Sequence, residues 1–128
     1  MSHTLDPEIQ SFIDKFIDSV EQLEILVLLK ESAPKSWSDR EINEKLQSNL
    51  GSVRERLAGL CKLDLIKSVN NLFVYPGSND KYDQIIEMTS HAYKRSRIRI
   101  IEMIFSRPKN KLRDFSDAFK IRKGKKDG

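Results

Sequence analysis

The side chains that carry most enzymatic and metal chemistry are scarce in this sequence. Cys61 is the single cysteine, and the histidines are His3 and His91 alone, so neither an internal disulfide nor a thiolate or histidine metal centre is expected. Gly51, Gly59 and Gly77 fit no phosphate-cradling glycine loop. Neither histidine suits a nucleophile–base pair, and acids such as Glu21 and Glu24 fall on a helix surface without a pocket. An enzyme is therefore disfavoured, and no cofactor is implied. What remains is the chemistry of recognition. Residues 45–67 hold five basic and two acidic side chains. Arg54, Glu55 and Arg56 concentrate charged hydrogen-bonding groups within this stretch. Ser48, Asn49 and Ser52 stand beside a helix start, whose positive end attracts anions. Lys62, Lys67 and the Asn70-Asn71 pair complete the candidate set.

The rest of the composition bounds the setting. A chain of 128 residues with 38% hydrophobic and 33% charged residues forms one compact, rather polar domain. Its longest apolar run is the five residues Ile25 to Leu29, too short for a membrane span. The first twenty residues carry acids and no basic leader, so a reduced, cytoplasmic setting is expected. Charge is unevenly spread: residues 1–44 have four basic and ten acidic groups, whereas residues 81–128 have fourteen basic and six acidic. Positive potential should come from the last third, with the first third facing solvent or a basic partner.

The elements that must position these groups are well punctuated. Asp6-Pro7-Glu8 reads as a capped helix start, followed by Ile9, Phe12, Ile13, Phe16 and Ile17 at helical spacing. Ser19 and Gln22 form a capping box for a second helix, apolar on most sides and therefore central. After the loop 32–36, Ser38 and Glu41 form another box, with Trp37 opposite Ile42 as a hydrophobic staple. A fourth helix is expected from Ser52, with Glu55 three residues on and Val53, Leu57 and Leu60 as its apolar stripe. Ile66–Val69 and Leu72–Tyr75 alternate as short strands around Asn70-Asn71, residues that tolerate the positive φ of a two-residue hairpin turn. Asp80 and Asp83 then open a helix reaching Ser106, about 40 Å long if unbroken. Its second apolar stripe, Ile98, Ile101 and Phe105, needs a contact of its own, and a second subunit would supply it. Lys94, Arg95, Arg97 and Arg99 read as a solvated face. A short helix bearing Leu112, Phe115 and Phe119 and a basic tail should follow.

Helix, short helix, loop, helix and hairpin is an order that resembles the winged helix-turn-helix superfamily, in particular small bacterial regulators of the MarR, ArsR and PadR kind. The matching residues run from about Val20 to Tyr75 and include Val53-Arg54-Glu55-Arg56-Leu57-Ala58-Gly59-Leu60-Cys61-Lys62-Leu63-Asp64-Leu65-Ile66. Asp64 stands where those families place a left-handed glycine. The segment Leu112–Lys123 is similar to one in small bacterial winged-helix proteins, a likeness that bears on fold alone.

The resemblance implies a mainly α fold with a small β-hairpin. Residues 1–18 would be an amphipathic helix, 19–77 the winged-helix domain, 80–121 a dimerisation region and 122–128 a tail. It further implies that 52–62 is a recognition helix entering the major groove of double-stranded DNA. Turning Val53, Leu57 and Leu60 inward leaves Glu55, Ala58, Gly59 and Lys62 outward, with Arg54 and Arg56 on the flanks, where the arginines would reach guanine edges or phosphate and Glu55 a cytosine amino group. Ser48, Asn49 and Ser52 would then donate to phosphate, and Lys67 with the Asn70-Asn71 tip would meet backbone or the minor groove. Two functions fit these features: a homodimeric DNA-binding transcriptional regulator, or a non-enzymatic winged-helix module that binds protein instead of DNA.

Overall fold

The computed structural model describes residues 6–76 and 82–106. They form six helices and one hairpin: α1 (Pro7–Phe16), α2 (Val20–Glu31), α3 (Asp39–Leu46), α4 (Leu50–Lys62), β1 (Lys67–Val69), β2 (Leu72–Val74), α5 (Asp83–Arg95) and α6 (Arg97–Ser106). Local chemistry accounts for most of the boundaries. Asp6 accepts the Glu8 N–H at 2.8 Å, with Pro7 first in α1. Ser19 caps α2 through the Gln22 N–H, although the Gln22 side chain accepts from the Asp18 N–H rather than from Ser19. Around α3 the box is reciprocal: Ser38 Oγ accepts from the Glu41 N–H and Glu41 Oε1 from the Ser38 N–H.

The core gathers around α2, which packs against α4 and α5 and touches β2. Leu23, Ile25, Leu26, Val27 and Leu29 are buried around nearly its whole circumference, as expected of a central helix. Val53, Leu57 and Leu60 come in from α4, Ile86, Ala92 and Tyr93 from α5, and Ile100 and Ile104 from α6. The rings of Phe12, Phe16 and Tyr82 meet with centroids 5.0–6.4 Å apart, tying α1 to the start of α5.

The hairpin is anchored at two places. Its turn residues Asn70 and Asn71 have φ of 54° and 64°, the positive values a two-residue primed turn requires, and Val69 pairs with Leu72 across it. At its outer edge Phe73 exchanges both backbone hydrogen bonds with Trp37, at 2.7 and 2.8 Å. The Trp37 ring is buried, donates from Nε1 to Ser32 Oγ at 2.8 Å, and is covered by the Lys35 ammonium 4.0 Å from its centroid.

Three expectations are corrected. The fourth helix begins at Leu50, not Ser52, with Asn49 as its cap. Asp83 does not cap α5: Tyr82 holds the cap position without a side-chain bond, and Asp83 accepts the Tyr75 hydroxyl at 2.6 Å. The helix expected to reach Ser106 unbroken is interrupted at Ser96, with φ −132° and ψ 49°. Arg95 and Arg99 are like charges one turn apart across the break, which disfavours a continuous helix, and serine is a weaker helix former than alanine or leucine. Asp80, the Leu112–Phe119 helix and the basic tail lie outside the described residues.

Trp37→Ala should cost about 3 to 5 kcal/mol in urea denaturation, because it empties a large buried site. Amide exchange at Phe73 should accelerate with it. A loss under about 1 kcal/mol would mean that the Trp37 ring adds little to the backbone exchange with Phe73.

Candidate nucleic-acid interface

Helices α3 and α4 are joined by a tight turn. Gln47 ends α3 in the left-handed region at φ 53°, and the Ser48 N–H reaches back to the Asn43 carbonyl at 3.3 Å. Asn49 Oδ1 then accepts the Ser52 N–H at 3.0 Å. The far end of α4 closes as a Schellman motif: the Leu65 N–H bonds to the Leu60 carbonyl and the Asp64 N–H to the Cys61 carbonyl. Asp64 takes the left-handed position at φ 64°, as the resemblance implies. Leu60 and Leu65, the apolar pair of this motif, are both fully buried.

With Val53, Leu57 and Leu60 turned inward, Arg54, Glu55, Ala58 and Lys62 are exposed on the other side of α4. Lys67 lies on the exposed first strand, and Asn70 and Asn71 form the exposed tip between Val69 and Leu72. The structure therefore places Arg54, Glu55, Lys62, Lys67, Asn70 and Asn71 on accessible surface.

Ser48 is exposed and Ser52 and Arg56 are half-buried, and the three share an internal partner. All three converge on the carboxylate of Glu21 in the first turn of α2: Ser48 Oγ donates to Oε2, Ser52 Oγ to Oε1, and Arg56 Nε to Oε1 at 3.2 Å. The Glu21 side chain is 17% exposed and that of Arg56 35%. Burial by itself raises the carboxyl pKa of Glu21, but the two hydroxyls and the guanidinium together outweigh it and hold the group below its ordinary value. Arg54 is 54% exposed, yet its Nε contacts Asp39 Oδ2 at 2.7 Å, and that hydrogen bond draws the Asp39 carboxyl down as well. Both arginines thus face outward with an internal counter-ion.

Glu21 and Asp39 have no counterpart among the sequence candidates. The one signal pointing to them was the excess of acid in the first third, whose basic partners prove to be the chain's own later helices. Lys94 pairs with Glu31 at 2.7 Å and Arg97 with Glu24 at 3.0 Å, so two cations of the expected solvated face bridge back to α2. The Tyr93 hydroxyl, which donates to Glu24, is pushed up to about 12 by burial and by that carboxylate. His91 is exposed beside Glu87, and Cys61 is half-buried, its thiol pushed up by burial and by Asp64. On α6, Ile98 and Phe105 are 67% and 69% exposed, while Ile101 is half-buried against the core. No metal-binding group of three ligands occurs among the described residues. No described helix is long and apolar enough to cross a membrane.

This architecture is a winged helix-turn-helix, with α3 and α4 as the helix pair and β1–β2 as the wing. Among solved structures it is similar to MepR, a transcription regulator of the Staphylococcus aureus multidrug efflux pump MepA, with a TM-score of 0.53 and 13% identity over 91% of this chain and 87% of that one. It also matches Lactococcus lactis ZitR at a TM-score of 0.45 and 24% identity, covering 80% of this chain and 74% of that one. No family model and no curated protein matches the sequence.

Because the Glu21 pKa is lowered on folding, its carboxylate contributes stability in full above its ordinary value of 4.5, and that stability is lost as pH falls through the lowered value. Glu21→Gln should therefore destabilise the fold by about 1 to 2 kcal/mol at neutral pH. The difference from the natural chain should shrink steadily as pH falls below 4.5, as read from paired urea titrations. A penalty that stays constant with pH would mean that shape, not charge, holds this contact.

Proposed function

We propose that the chain is a DNA-binding transcriptional regulator without enzymatic activity, acting in the cytoplasm as a homodimer. Residues 19–77 would read double-stranded DNA and 80–121 would join the subunits. The observation that carries this reading is the shared exposure of the outward face of α4 and the wing tip. Arg54, Glu55 and Lys62 lie on the first, and Lys67, Asn70 and Asn71 on or beside the second. In a winged helix the first enters the major groove while the tip meets the backbone or minor groove. MepR, whose fold the chain shares, is named as a transcription regulator.

Pairing of subunits is supported by the apolar face of α6. Ile98 and Phe105 are seven residues apart, two helical turns, and Ile101 lies between them on the same side. Large apolar side chains grouped on one helix face favour burial against another surface. A second copy of this chain also provides two sets of groove-facing cations, where one protomer offers few.

A second reading has its own support. Asp39 and Glu21 already neutralise Arg54 and Arg56, which suits a winged helix that binds a protein and never meets phosphate.

Fluorescence anisotropy on a random-sequence duplex over a salt series separates the two. A regulator should bind with log K falling linearly in log salt, by about 0.9 for each phosphate neutralised. Lys62→Ala with Lys67→Ala, both exposed cations, should flatten that slope by about one unit for each side chain removed per protomer. Absence of salt-sensitive binding at low ionic strength would favour the protein-binding module. Separately, Ile98→Glu with Phe105→Glu should yield monomers in sedimentation equilibrium; an unchanged mass would reject α6 as the subunit contact.

A further inference from the structure

Three anion-seeking groups at the start of α4 share one carboxylate. Ser48 and Ser52 give it their hydroxyl hydrogens, Arg56 gives an N–H, and both Glu21 oxygens are occupied. Two hydroxyls and a guanidinium around two oxygens is a donor set that a phosphodiester satisfies equally well. Ser48 and Ser52 flank Asn49, the cap of α4, so the positive end of that helix adds to the preference for an anion. We infer that Glu21 is a built-in competitor for DNA phosphate: it fills the anion cradle of Ser48, Ser52 and Arg56 and so weakens duplex binding, a role that presupposes the DNA-binding function proposed above.

Charge and position support this role. Glu21 belongs to α2, packed against α4, and its carboxylate is held there by three hydrogen bonds with the side chain 17% exposed. A fixed negative charge beside Arg56 leaves the local sum near zero. An approaching phosphate must then displace Glu21 or accept its repulsion. Both lower affinity without touching the outward residues Arg54, Lys62 or Lys67. The chain thereby keeps weak non-specific attachment low while retaining its contacts to base edges.

The test compares the full chain with Glu21→Gln and with Glu31→Gln in the same anisotropy salt series. Glu31 is an exposed acid ten residues further along α2, about 15 Å away and beyond the Debye length of roughly 8 Å at physiological salt. Each variant removes one negative charge, so the pair separates a local effect from a change in total charge. Glu21→Gln should steepen the slope by about 0.9 per protomer, which is roughly eightfold tighter binding per protomer at about 0.1 M salt, while Glu31→Gln leaves the slope unchanged. Adding Arg56→Gln to Glu21→Gln should cancel the gain. Equal slopes for both single variants, or weaker binding by Glu21→Gln, would overturn the inference while leaving the regulator reading intact. Should Glu21→Gln unfold, Arg56→Gln alone decides: it should leave the natural chain's slope nearly unchanged, because Arg56 is already engaged, and a full unit's loss would overturn the inference. If the natural chain and all folded variants ignore duplex at low salt, the DNA-binding reading falls and the inference with it.

Discussion

Three side chains on one edge of α4 hold the arrangement together. Val53, Leu57 and Leu60 are at most 1% exposed and lie against α2, itself buried on nearly every side. Burying each contributes about 1.5 to 3 kcal/mol. Rolling α4 by a single residue, about 100°, would carry Arg54 into the place of Val53. An unpaired guanidinium there would cost several kcal/mol beyond the lost apolar burial. The inward edge thus determines the outward one, and the exposure of Arg54, Glu55 and Lys62 follows from packing on the opposite side.

The same packing brings opposite charges together. The acid-rich first third and the basic later segments are complementary within one molecule: Glu21 meets Arg56, Asp39 meets Arg54, Glu24 meets Arg97, and Glu31 meets Lys94. Apart from the largely buried Glu21, whose carboxylate has three partners, the exposed pairs contribute little to stability one by one. Their larger effect is on the surface field, since a cation with a partner 3 Å away attracts a distant phosphate far less than a free one. Net charge therefore describes this protein poorly, and the pairing pattern matters more.

Features decided by a few neighbouring residues were legible before any coordinates. The caps at Asp6, Ser19 and Ser38, the left-handed Asp64 and the Asn70-Asn71 turn are all local, and each stands where its side-chain chemistry puts it. The start of α4 was not. Asn49 and Ser52 are both good caps, and Ser52 with Glu55 made the more complete motif; in the fold, Asn49 caps while the Ser52 hydroxyl is drawn to Glu21 on another helix. The interruption at Ser96 escaped detection because Ile100 and Ile104 keep the apolar rhythm and still return to the core. Within the candidate interface, exposure could be read from the stripe, but the counter-ions could not, because Glu21 and Asp39 lie 35 and 15 residues from their arginines.

The exchange of hydrogen bonds between Trp37 and Phe73 ties the ribbon to the entry of α3, on the far side of the helix pair from the Schellman turn that launches it. The base of the ribbon is therefore held at two separate places, one beside each helix of the pair. In the proposed regulator a ribbon held this way would work as a caliper, favouring any surface that offers two features at one separation.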